Sequence, residues 1–153
     1  TETTMSEQNN KSGLTLGFNH NKANDIFSPT KGWKFNTLAT YMGIGFNSQY
    51  HYYKLISEGN YFFPIGKQSV LACKLKGGII QPVQGDLSSP IDDRFLMGGA
   101  LSLRGWGRNQ ISPVNDEDAK IGGNTLFENT VEFRFPIYRI FSGTTFIDFG
   151  NVW

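Results

Sequence analysis

The sequence predicts an all-β, antiparallel fold of about six strands interrupted by one long loop, and three observations carry that reading. Apolar and polar residues alternate with a period of two over several stretches, and no helical period runs for a useful length. The composition, with 13 Phe, 6 Tyr, 3 Trp and 18 Gly but only 39% hydrophobic residues, suits alternating strands and tight turns better than a helical core. No run approaches the roughly 18 apolar residues of a membrane helix, yet a membrane barrel needs only about 10 alternating residues per strand. Two architectures stay open at this point. One is a transmembrane barrel with its apolar stripes toward lipid; the other is a soluble sandwich that uses the same stripes as its core.

Leu14, Leu16 and Phe18 alternate in a short first strand. The segment His20 to Lys31, with Asn21, Asn24, Asp25 and Ser28-Pro29, has the turn chemistry of a hairpin connection. From Gly32 to Gly43, Trp33, Phe35, Thr37, Ala39 and Tyr41 oppose Lys34, Asn36, Leu38, Thr40 and Met42, which is strand alternation. Gln49 to Ser57 reads as a third strand whose faces are hard to separate, because tyrosines fall on both. After a turn at Phe63-Pro64-Ile65-Gly66-Lys67, the stretch Gln68 to Ile80 sets Leu71, Cys73, Leu75 and Ile79 against Ala72, Lys74, Lys76 and Gly78. Two lysines thus face a polar side, and Cys73, the one cysteine, is a small apolar side chain among leucines.

Gln81 to Asn124 holds Pro82, Pro90 and Pro113, the paired glycines and the acidic run Asp116-Glu117-Asp118, so no long strand survives there. Its apolar residues Phe95, Leu96, Met97, Leu101, Leu103 and Trp106 require a surface to fold back onto. Two later strands offer one. In Thr125 to Phe135, Glu128, Thr130, Glu132 and Arg134 oppose Phe127, Val131, Phe133 and Phe135; in Thr144 to Trp153, Asp148 opposes Thr145, Ile147 and Phe149. Arg104, within Ser102-Leu103-Arg104-Gly105-Trp106, is the cation suited to dock the loop on these acids. Glu128 and Arg134 read as solvated residues of the polar face.

A formal net charge of +1 with interspersed signs leaves no footprint for nucleic acid. The glycine pairs lack the following helix and the Lys-hydroxyl pair of a phosphate cradle. His20 and His51 have no acid at ligand spacing, no nucleophile has a histidine partner, and the expectation is no metal, no cofactor and no enzymatic activity. Thr1 to Ser12 lacks the apolar core of a secretory signal, and Trp153 closes an alternating run without a turn, so the chain is expected to be part of a longer protein.

Pro29-Thr30-Lys31-Gly32, Arg94-Phe95-Leu96-Met97-Gly98-Gly99, Leu103-Arg104-Gly105-Trp106, Ile121-Gly122-Gly123-Asn124, Val131-Glu132-Phe133 and Phe146-Ile147-Asp148-Phe149-Gly150-Asn151-Val152-Trp153 occur in an order that resembles the BamA/TamA/Sam surface-antigen barrel superfamily. The resemblance implies an antiparallel transmembrane β-barrel of about sixteen strands preceded by periplasmic repeats. Residues 1–153 would then be part of its C-terminal outer-membrane barrel domain, a partial barrel of about six strands with one loop docked in the lumen. It implies further that Arg104, with Gly105 and Trp106, forms the loop-lock motif and that Glu132 and Asp148 are its acidic partners.

In function the resemblance implies an assembly factor of the bacterial outer membrane that folds and inserts β-barrel proteins. Its partners would be unfolded outer-membrane proteins, the lipid bilayer, and periplasmic chaperones or accessory lipoproteins. The rivals are a two-partner-type polypeptide secretion pore of the same superfamily and a soluble all-β binding module.

Overall fold

In the computed structural model, which describes residues 11–44, 50–83 and 89–153, six strands form one antiparallel sheet in the order of the chain. They are β1 (Gly13–Asn21), β2 (Gly32–Met42), β3 (Tyr52–Ile65), β4 (Ser69–Pro82), β5 (Thr125–Tyr138) and β6 (Phe141–Val152), with a short 3-10 turn at Ile91–Asp93 inside the long connection. This is a partial barrel, as the resemblance implies. Part of the third strand foreseen from the sequence, at residues 49 and 50–51, lies outside the described residues or before the strand begins.

β3 continues to Ile65, through the Phe63-Pro64 pair assigned above to a turn, and the turn itself is confined to residues 66–68. Proline is tolerated there because β2 begins at Gly32, opposite Phe62, so Pro64 has a neighbour on one side only. The same reason extends β5 past Phe135. The β4–β5 ladder stops at Val70↔Arg134, and Pro136 sits beyond it at a bulge against β6.

Register places the two faces. Trp33↔Tyr61, Tyr61↔Cys73, Cys73↔Val131 and Val131↔Ile147 form one outward row. Asn36↔Glu58, Glu58↔Lys76, Lys76↔Glu128 and Glu128↔Gly150 form an inward one. The tyrosine ambiguity in β3 resolves with them: Tyr52 is buried inward, whereas Tyr53 and Tyr61 are exposed outward. Leu16, Leu55, Leu75, Ile147 and Phe149 are likewise exposed on the outer face, so the apolar stripes are not the core of a sandwich.

Tyr53 stacks beside Tyr41 with ring centroids 4.7 Å apart, and Tyr61 lies eight positions farther along β3 beside Trp33. Eight residues of strand span about 27 Å, which a tilt of about 40° reduces to about 20 Å of membrane height, close to the apolar band of a barrel.

The buried core lies on the inside, at the end of the sheet where the long connection leaves. Phe95, Met97 and Leu103 of the connection pack on Tyr52, Ile80, Leu126 and Val152 of the wall. Two glycines make room: a Cβ on Gly78 would stand 2.6 Å from the Phe95 ring, and one on Gly150 would stand 3.2 Å from the Met97 methyl. Each of the three loop side chains contributes about 1.5–3 kcal/mol by leaving water.

Candidate functional site

Residues 89–124 of the long connection enter the concavity of the sheet and return, tied to one another by the bridges Phe95↔Gly123 and Met97↔Ile111. Its root is held by charge as well as by backbone pairing. Lys54 donates to the Asp93 carbonyl at 2.5 Å and lies 4.9 Å over the Phe95 ring, while Lys11 pairs with the Asp93 carboxylate at 2.8 Å. Burial alone would push the Asp93 carboxyl up, but hydrogen bonds from Lys11 and Tyr52 and the charges of Lys11 and Lys54 hold it below the ordinary carboxylate range.

Deeper in the concavity Arg104 meets the two acids named from the sequence. Its Nε donates to Asp148 Oδ2 at 2.7 Å and its Nη2 to Asp148 Oδ1 at 2.7 Å, a bidentate fork. Its Nη1 donates to Glu132 Oε1 at 2.8 Å, and its backbone N–H adds a third bond to Asp148 at 3.1 Å. Asp148 is 4% exposed at the side chain and Arg104 25%, so the cluster is shielded without being dry. Gly105 follows at φ +93°, a conformation that a Cβ disfavours, although no atom crowds the position.

Three further residues complete this seat. Phe146 lies under the guanidinium, 3.5 Å from ring centroid to Cζ, because it is the inward neighbour of Asp148 on β6. Arg134 is open to the cavity, as expected, and also paired: its Nε and Nη2 donate to Glu132 Oε2 at 3.0 and 2.7 Å, which occupies the carboxylate oxygen that Arg104 leaves. Glu128 departs from the expectation of solvation. It is 2% exposed, ion-paired with Lys74, and accepts a 2.7 Å hydrogen bond from the Ser102 hydroxyl. Alternation places a residue on a face but does not say which stretch of that face a loop will cover. Trp106 lies apart from the ion cluster, with its indole 56% exposed and its carbonyl accepting from Gly99 N–H at 3.1 Å.

Beneath the docked loop a cavity of about 570 Å³ opens between the sheet and the β1–β2 connection, lined among others by Lys34, Glu58, Lys74, Leu101 and Arg134. Both signs of charge border it. The arrangement can hold a chain segment in place by paired charges.

A meander of tilted strands, apolar outside, polar inside and filled by a loop clamped through an arginine, defines a transmembrane β-barrel with an internal lock. The model of the Omp85 superfamily domain matches residues 2–153, and the chain belongs to the Omp85 superfamily. Among curated relatives it is 30% identical over 107 residues to the outer membrane protein assembly factor BamA of Nitratidesulfovibrio vulgaris, covering 69% of this chain and 13% of that protein. It is 34% identical over 74 residues to the sorting and assembly machinery component 50 homolog of Mus musculus, covering 48% of this chain and 15% of that protein. The chain thus spans only a small part of these relatives. The crystal structure of BamA from Haemophilus ducreyi lacking POTRA domains 1–3 superposes with a TM-score of 0.80 at 24% identity, over 92% of this chain and 30% of that one. That likeness establishes the barrel fold.

Proposed function

We propose that this chain is the later part of the barrel of an assembly factor that folds and inserts β-barrel proteins into the outer membrane of a bacterium. The observation that carries the reading is membership of a superfamily whose relatives are named for assembly, and the Arg104 fork on Asp148 and Glu132 supplies the docked loop that the reading uses. Relatives occur in a bacterium and in vertebrates, so the bacterial membrane is part of the proposal.

The work is mechanical and thermodynamic rather than chemical. An incoming strand cannot leave its backbone N–H and C=O groups unpaired in hydrocarbon, and a barrel edge with free backbone groups gives it partners. The docked loop keeps the wall in the shape that presents such an edge. Its clients are unfolded outer-membrane barrel proteins, and the lipid bilayer is its second partner. Accessory proteins would be reached through other parts of the intact protein.

Depletion of the intact protein in its own cells, with folded barrels counted across the outer membrane, tests the reading. A broad loss of unrelated barrels is expected. Loss of one exported polypeptide with other barrels intact would replace the proposal with a secretion pore of the same superfamily.

A further inference from the structure

Glu128 stands on the inner face of β5, four residues before Glu132, so their Cα atoms are about 13 Å apart along one wall, and Asp148 faces Thr130 midway between them. The loop crosses both. Ser102 donates to Glu128 and Arg104 binds Glu132 and Asp148, which makes alternate residues of the loop meet successive charged positions of the wall. Lys74, facing inward from β4 opposite Thr130, completes the first position: its Nζ pairs with Glu128 and donates to the Leu101 carbonyl at 3.1 Å. Ser102 Oγ also accepts from Gly98 N–H at 3.4 Å, which closes the 98–102 turn on the same hydroxyl.

We propose that Glu128, with Lys74, is a second anchor of the loop and a positioning residue for Arg104. A single fork at Arg104 would leave the segment before it free to pivot. Two anchors about 7 Å apart along the wall, Glu128 and the Asp148 fork opposite Thr130, set the register of the whole segment, so that the guanidinium arrives in the plane of the Asp148 carboxylate. Leu103, buried between the anchors, holds the segment against the wall. The role is separate from the assembly reading, since it concerns loop seating in any barrel carrying these residues.

Hydrogen exchange on the intact protein in lipid nanodiscs, resolved over residues 98–104, tests it. Ser102→Ala is expected to raise exchange of the 98–103 amides about tenfold, the effect of losing a hydrogen bond to a charged group. The Arg104 amide, which is bonded to Asp148, should rise with them, and Ser102→Thr should restore both. Replacing the wall pair together, Glu128→Leu with Lys74→Met, is expected to give the same loosening and to add nothing to Ser102→Ala. Wild-type exchange in Ser102→Ala would overturn the proposal, and so would loosening of 98–102 that leaves the Arg104 amide at its wild-type rate. Equal acceleration throughout β5 and β6 would also overturn it, because Ser102 would then support the barrel generally. Failure of the wall pair to fold leaves the two Ser102 variants to decide.

Discussion

At the residue scale, the seat of Arg104 separates two kinds of contribution. Burial of Phe95, Met97 and Leu103 supplies the gross attraction of the loop for the wall, while a shielded ion cluster has little net value against its desolvation. Breaking the cluster is a different matter. Arg104→Ala leaves the buried Asp148 carboxylate without its cation, and a loss of about 2–4 kcal/mol is expected, reduced from the fully buried case because Arg104 keeps some contact with water. Thermal unfolding of the intact barrel, followed by its heat-sensitive gel mobility, measures this. Arg104→Lys should recover only part of it, because an ammonium cannot make the planar fork or lie flat on Phe146. Gly105→Ala should cost about 1 kcal/mol through the positive φ alone, since its surroundings are open. A cost as large as that of Arg104→Ala would contradict that account.

At the scale of elements, the strands and the loop answer to different forces. Ile147 is 68% exposed on the outer face of β6, and Asn36 is exposed on the inner face of β2 opposite Glu58. Ile147→Arg should therefore cost about 2–4 kcal/mol in a bilayer, and Asn36→Arg much less. Equal tolerance in a folding titration into vesicles would reverse the facing of the sheet. The loop root has its own signature in acid. Because the Asp93 carboxyl is held below its ordinary value in the folded state, it binds protons less readily there than in the unfolded chain. Its stabilisation is complete above the ordinary carboxylate pKa and is lost as pH falls through the lower, folded value. Proteolysis of the loop should thus be constant from pH 7 to about 5 and should rise only below about pH 4, and Asp93→Asn should remove Asp93's part of that rise.

For the molecule as a whole, the meander sends its connections to opposite rims. The short turns after β3 and β5 lie at one rim, and the long connection leaves from the other. In outer-membrane barrels short turns face the periplasm and long loops the outside. With Cys73 replaced by Ser, an impermeant maleimide applied to intact cells should label Glu117→Cys, exposed in the turn closed by the Val114↔Lys120 bridge, and should spare Lys67→Cys in the β3–β4 turn. The opposite pattern would invert the barrel in its membrane.

The sequence by itself determined the strand periodicity and the two faces of β2, β4, β5 and β6, because side-chain alternation is a local property of extended backbone, and the order of its motifs, by resemblance, joined Arg104 to Glu132 and Asp148. It could not determine how far β3 and β5 run past their prolines, since that depends on where the neighbouring strand ends. Nor could it tell Glu128 from a residue open to the lumen. Only the tertiary structure brings Ser102 onto Glu128, because the path of a loop across a wall is decided by contacts between residues far apart in the chain.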